Sequence, residues 1–263
     1  MNILFLGDIV GKSGRDIVSS LLSSLKKEYD ISLTIVNGEN AAHGKGLTKR
    51  LYDELIAAGA DYITMGNHAF SKREIYDHIE EMDRMVLPSN HLLNEKEDSH
   101  LIFEKDGIRF CLINLLGDVL MNDISSDPYE KMEEILEKTE KEDIDIYFVD
   151  YHGETTAEKR IFCEYYQDVI DVCVGTHTHV QTADERMIGN CAFITDVGMC
   201  GPYDSVIGRD IEESIRHRIQ MEKTRYTIAE GRAVLCGVVI SIDDTERKAV
   251  SIRRIQIRPE GEQ

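Results

Sequence analysis

The stretch "VCVGTHTHVQT" places His177 and His179 one residue apart, just past a run of small apolar residues. In extended backbone, residues i and i+2 face the same side, with side chains ~6–7 Å apart. Four other apolar runs also end in polar clusters. "NILFLGD" ends at Asp8, "LTIVNGEN" at Asn37, Glu39 and Asn40, "YITMGNH" at Asn67 and His68, and "IYFVDYHGE" brings Asp150 and His152. Each residue alone has an ordinary structural use. An Asp after a strand caps the next helix, Asn-Gly pairs make turns, and a lone His is usually a satisfied surface or core residue. Together they make a donor set of Asp, Glu, Asn and His with no cysteine, which suits Mn, Fe or Zn and disfavours a structural Cys-zinc site. Asp8, Glu39, Asn40, Asn67, His152, His177 and His179 are too many ligands for one ion. They match two ions ~3.5–4 Å apart if one carboxylate bridges, with His177 and His179 reaching one ion each.

The elements that must position these residues follow from periodicity. The short β-branched runs read as strands, joined by "CAFITDVG", "VLCGVVISID" and "AVSIRRIQI" later in the chain. "LIFEKDGIRFCLINL" reads as a hairpin turning at Asp106-Gly107. Helical patterns cover 13–28, 48–58, 71–82, 129–141, 156–168 and 209–221. Strand alternating with helix predicts an α/β fold, read as one domain over 1–263. Sites in such sheets form beyond the carboxyl ends of the strands, where the polar clusters fall. The late strands, with fewer helices between them, predict a second sheet.

Composition narrows the partners. With 30 Lys+Arg against 49 Asp+Glu the net charge is −19, so the surface repels long nucleic acid and anionic membranes. No apolar run approaches the ~20 residues of a membrane span, and the opening "MNILFLGD" has no basic leader. A cytoplasmic protein is expected. The six cysteines form no CxxC pair and read as reduced core thiols. His78, His91, His100 and His217 read as surface residues.

"GD" at 7–8, "NGEN" at 37–40, "GNH" at 66–68, "HGE" at 152–154 and "GTHTH" at 175–179 resemble the motif series of calcineurin-like metallophosphoesterases. "GDIVGKSGR", "GTHTHVQTAD" and "TDVGMCGP" are similar to one bacterial branch, the YmdB-like phosphodiesterases. The resemblance implies a four-layer α/β/β/α sandwich. It implies a first metal on Asp8, Glu39 and His179, and a second on Glu39, Asn40, Asn67, His152 and His177. The ions would be two divalent or mixed-valence transition metals, Fe or Mn foremost, with Zn as a further fit. His68 is left without a metal and would act as general acid, while a hydroxide bridging the metals attacks a small phosphodiester such as 2′,3′-cyclic AMP. A homo-oligomer is also implied. Three positions depart from the wider superfamily. Val10 stands where a histidine is usual, Glu39 where an aspartate bridges, and Ala69 where an acidic residue often follows "GNH".

Asp150, Thr176, Thr178 and Asp196 are candidates for fixing the imidazole tautomers, although such residues more often only anchor loops. Lys12, Arg15 and Lys45 are read equally as substrate contacts or as solvated cations. His43 is set aside because the ligand count is already full. "GDIVGKS" falls one residue short of a P-loop. A phosphomonoesterase on the same site and a nucleotide-binding regulatory protein without turnover are the alternative functions.

Overall fold

The computed structural model describes residues 1–96 and 99–261. The first half runs β1 (Asn2–Leu6), β2 (Asp8–Ile9), α1 (Gly11–Glu28), β3 (Ile31–Asn37), α2 (Lys49–Ala58), β4 (Tyr62–Thr64), α3 (Ile75–His78), β5 (Met85–Val86), β6 (Leu101–Lys105) and β7 (Ile108–Leu116). It continues with α4 (Pro128–Thr139), β8 (Ile146–His152), α5 (Thr156–Tyr166), β9 (Val172–Thr176), β10 (Arg186–Ile188) and β11 (Cys191–Ile194). The last stretch holds β12 (Met199–Pro202), α6 (Ile211–Arg218), β13 (Ala233–Asp243) and β14 (Lys248–Ile257).

Local chemistry accounts for the element ends. The β6–β7 hairpin turns at Asp106 and Gly107, with φ of 52° and 78°, as a two-residue turn with both centres left-handed requires. α1 buries Gly14, Val18, Leu22 and Leu25, one stripe at helical spacing. α5 opens with a capping box: the Thr155 hydroxyl accepts from the Glu158 N–H, and the Glu158 carboxylate accepts from the Thr155 N–H.

Two sheets result. The eight-stranded sheet has the order β2-β12-β13-β1-β3-β4-β5, with β14 on β13. Its β1, β3, β4 and β5 are parallel, and β13 is antiparallel to β1. The six-stranded sheet has the order β10-β11-β9-β8-β7-β6, parallel except at its edges. The inner faces of the sheets share one apolar layer that includes Phe5, Ile35, Phe110, Phe148 and Val238. Phe5 stacks on Phe148 with centroids 5.8 Å apart. Truncating such a buried Phe to Ala costs about 3–5 kcal/mol. Outside the first sheet, Leu22, Leu51 and Leu55 of α1 and α2 close a second core. Outside the second sheet, Met132, Phe162 and Tyr166 of α4 and α5 close a third. The layers are α/β/β/α, as expected.

Three details differ from the sequence reading. The helix predicted over 71–82 shrinks to α3 and one tight turn at Ile79–Glu81. Ile75, Tyr76 and Asp77 bond three residues back, and Ile75 is the sole buried residue of these two elements, so little packing rewards a longer helix. The helix predicted over 209–221 stops at Arg218, and Met221 takes a left-handed φ of 56°. The strands after Pro202 do not build the second sheet, which comes from β6 to β11. β13 is instead a central strand of the first sheet, buried from Val234 through Ile240, as its near-continuous apolar run allows. The six cysteines are free and buried, as expected. Among the described residues no helix is long and apolar enough to cross a membrane.

Candidate metal centre

Five strand ends converge. Asp8 begins β2, Glu39 and Asn40 follow β3, Asn67 and His68 follow β4, His152 closes β8, and His177 and His179 follow β9. The two sheets therefore contribute facing halves of one site. Ligand atoms of Glu39, His152 and His177 lie within 4.8 Å of one another, and so do those of Asp8, Glu39 and His179. Glu39 belongs to both groups. Asp8, Glu39 and His152 are almost wholly buried. Gly66 makes room for the crossing of the halves: a Cβ there would stand 2.2 Å from Glu39 Oε2 and 2.4 Å from His152 Nε2.

Partners outside the donor set fix the tautomer of each imidazole. Thr176 Oγ1 donates its hydrogen to Asp150 Oδ1 at 2.6 Å and so accepts from His152 Nδ1–H at 2.9 Å. That leaves His152 Nε2 bare. His177 Nε2–H donates to Glu154 at 2.9 Å, which leaves Nδ1 bare and 3.1 Å from His152 Nε2. His179 Nδ1–H donates to the Ile207 carbonyl at 2.8 Å, leaving Nε2 bare and 3.9 Å from Asp8 Oδ1. Asn67 Oδ1 also faces His152 Nε2 at 3.1 Å, and Glu39 Oε2 lies 3.3 Å from the same nitrogen. Lone pairs thus point at lone pairs, and Asp8 Oδ1 is buried without a hydrogen-bond partner among the described residues. Such an arrangement needs cations, or protons in their place. The donor set fits a pair of divalent metals.

The charges respond accordingly. Burial pushes Asp8 up to about 6, partly opposed by His179 and His152. Burial also raises Glu39, but the charge of His152 and its hydrogen bond to the carboxylate outweigh it and hold Glu39 well below the carboxylate range. Burial alone would keep His152 neutral, yet Glu39, Asp8 and Asp150 lift it to about 9. Without metal, a proton on His152 supplies the positive charge. His177 is pushed down to about 3, by burial first and the His152 charge second.

His177 and His179 do not reach the site as an extended pair. β9 ends at Thr176, and the two histidines take φ of 100° and 65°. Left-handed backbone at a non-glycine residue costs about 1–3 kcal/mol and is kept only where neighbours over-determine it. Asn40 lies on the His179 side, its amide nitrogen 2.8 Å from Glu39 Oε1 and 3.2 Å from His179 Nε2. Ligation through Oδ1 requires that amide to be turned over. His68 donates its backbone N–H to Glu39 Oε2 at 3.2 Å, and its imidazole makes no hydrogen bond among the described residues. Burial lowers the His68 pKa, with Glu39 opposing.

Some neighbours escaped the sequence reading. His91 is 2% exposed, not a surface residue. Its Nδ1 accepts from Leu93 N–H, so its Nε2–H donates to the Asn67 carbonyl at 3.2 Å and holds the Asn67–His68 turn. Glu154 was unassigned, although it follows the "HG" of the motif directly. Lys12 is exposed beside Asp16, Arg15 donates to the Ala41 carbonyl, and Lys45 lies 5.7 Å from the Tyr226 ring centre.

A family model described as "YmdB-like protein" matches residues 4–255. The chain is 45% identical over 258 residues to the 2',3'-cyclic-nucleotide 2'-phosphodiesterase of Bacillus subtilis, covering 98% of this chain and 97% of that protein. The fold of this chain is similar to the crystal structure of a phosphatase from Mycoplasma pneumoniae, with a TM-score of 0.92, 36% identity and coverage of 98% and 93% of the two chains. A hypothetical protein from Thermus thermophilus is also similar, with a TM-score of 0.90, 30% identity and coverage of 98% and 99%.

Proposed function

This chain belongs to the YmdB-like family, and on that premise we propose that it is a metal-dependent phosphodiesterase whose substrates are small diesters, 2′,3′-cyclic nucleotides first among them. The observation that carries the reading is the convergence of bare imidazole nitrogens and carboxylate oxygens around Glu39, together with the full-length similarity to the Bacillus enzyme. Asp8, Glu39 and His179 would hold one cation, with Asn40 beside them. Glu39, Asn67, His152 and His177 would hold the other. The oxygen and nitrogen donors favour Fe or Mn and allow Zn. When bound, such a pair supplies Lewis-acid charge to the non-bridging phosphoryl oxygens and acidifies the attacking water.

The chain's own residues do the rest. Two carboxylates, Asp8 and Glu39, leave two divalent ions with positive charge to spare, so the site attracts a phosphodiester to a protein that is otherwise strongly acidic. Glu154, Thr176 and the Ile207 carbonyl keep the histidine protons on the outward nitrogens. His68 follows Asn67 directly, and its imidazole makes no hydrogen bond among the described residues. As the P–O bond to the sugar breaks, His68 gives the alkoxide its proton. The reading extends to a cytoplasmic homo-oligomer. Ile211, Ile215 and Ile219 are exposed four residues apart along α6 and at its end and would suit a contact between copies.

The test is elemental analysis of purified protein beside a turnover screen. The screen sets bis-p-nitrophenyl phosphate, 2′,3′-cyclic and 3′,5′-cyclic nucleotides against nucleoside monophosphates. Turnover of 2′,3′-cyclic nucleotides that vanishes with chelation supports the proposal. Binding without hydrolysis, or hydrolysis of monoesters alone, overturns it.

A further inference from the structure

α5 carries a lysine where its apolar stripe should continue. Lys159 stands in line with Phe162, Cys163 and Tyr166 and is 1% exposed. A buried ammonium costs several kcal/mol unless it is paired and hydrogen-bonded. Lys159 Nζ donates to Asp196 Oδ2 at 2.8 Å and to the Thr176 carbonyl at 2.7 Å. Asp196 is itself 1% exposed. The same Oδ2 accepts the Thr178 N–H at 3.1 Å and the Thr178 hydroxyl at 2.8 Å. Oδ1 accepts the Gly198 N–H at 2.8 Å.

The residues held in this way are those that carry the ligands. Thr176 and Thr178 flank His177, and Thr178 stands between the two left-handed histidines. Gly198, the next link, accepts the Asp8 N–H through its carbonyl at 3.1 Å. One ion pair therefore grips the segment carrying two of the proposed metal ligands and touches the strand start that carries a third. We propose that Lys159 and Asp196 form a clamp that positions His177 and His179 for the metals by pinning Thr178 between them. Left-handed backbone at both histidines is uphill, so a released Thr178 lets the segment relax and swings the bare nitrogens away from Glu39. The paired charges also cancel, so Asp196 serves as an anchor of hydrogen bonds beside the site and adds no net charge to it. Lys159 and Asp196 are positioning residues and touch no substrate.

The inference rests on the two-metal reading of the site. The test measures the Mn²⁺ dissociation constant of the full chain from free-Mn²⁺ EPR, with kcat at low and high Mn²⁺ and the melting temperature of the metal-free form. The variants are Thr178→Val, which keeps β-branching and loses the hydroxyl donor, and the double variant Lys159→Met/Asp196→Asn, which removes both charges at once. A supporting result is Mn²⁺ binding weakened about 10–100-fold, the scale for partners of metal ligands, with turnover restored by excess Mn²⁺. A merely structural role would lower the melting temperature and leave Mn²⁺ affinity of the folded protein unchanged. That result in Thr178→Val, which is expected to fold, overturns the clamp even if the double variant does not fold. Wild type that binds no Mn²⁺ overturns the clamp and the site reading together, whereas normal wild-type binding with unaffected variants overturns the clamp alone.

Discussion

Replacing His68 with alanine separates proton donation from everything else the residue does. The contact of His68 with Glu39 runs through its backbone N–H, which alanine keeps. The imidazole makes no hydrogen bond among the described residues, so its removal leaves the ligand set and its tautomers in place. What is lost is the proton for the departing oxygen. General acid catalysis contributes typically 10²–10⁴-fold, equivalent to about 2.7–5.4 kcal/mol of barrier. The full loss should appear with 2′,3′-cyclic AMP, whose leaving group is a sugar alkoxide. With bis-p-nitrophenyl phosphate the leaving phenolate is already a stable anion, and the loss should stay below about tenfold because little donation is needed. The pH profile adds a second check. Burial lowers the His68 pKa, and only the protonated ring can donate, so the wild-type rate on the cyclic nucleotide should fall as pH rises through a value below the ordinary ~6.5. The variant should lack that limb. The assay is steady-state kinetics on both substrates at matched Mn²⁺ content. Equal losses on the two substrates would refute the role and make His68 a group that positions phosphate instead.

Three further outcomes are expected. Metal removal should lower thermal stability, and refilling to 100 times the dissociation constant should restore about 2.7 kcal/mol, read by calorimetry with and without chelator. Thr176→Val breaks the link between Asp150 and His152. It should weaken Mn²⁺ about 10–100-fold by titration calorimetry and cost about 1–3 kcal/mol in urea unfolding through the donor lost to buried Asp150. Asp171 is pushed up to about 7 by burial, with a bond from the Tyr147 N–H opposing. Between its unfolded value and about 7 the native state holds more protons than the unfolded state, so this group's contribution is present at low pH and fades as pH rises through about 7. Urea midpoints of wild type should therefore drop more than those of Asp171→Asn between about pH 5 and pH 8.

The residues that converge on the candidate site were legible because they end apolar runs. Strand periodicity places Asp8, Glu39, Asn67, His152 and His177 beyond carboxyl ends, and a sheet gathers such ends along one edge. The backbone at His177 and His179 was not legible. Nothing in two L-residues signals left-handed φ, which comes from Thr178 bonding Asp196 across the fold. The tautomers of His177 and His179 were likewise hidden, since Glu154 and the Ile207 carbonyl meet them through tertiary contacts, whereas Asp150 and Thr176, named from sequence, set that of His152. His91 lies past Pro88 in a stretch without periodicity, so its burial against the Asn67 turn had no local sign. Lys159 did have one, a charge at an apolar position of α5. The strands after Pro202 were assigned to the wrong sheet because periodicity gives a strand's two faces and not its neighbour. β13 pairs with β1 across most of the chain length.

The central claim is a pair of cations sharing Glu39. Crystals grown with Mn²⁺ and measured at the manganese absorption edge test it directly. The account predicts two anomalous peaks ~3.5–4 Å apart, one beside Asp8 and His179, the other beside His152 and His177, with the Glu39 carboxylate between them. A single peak, or two peaks without Glu39 between them, would contradict it.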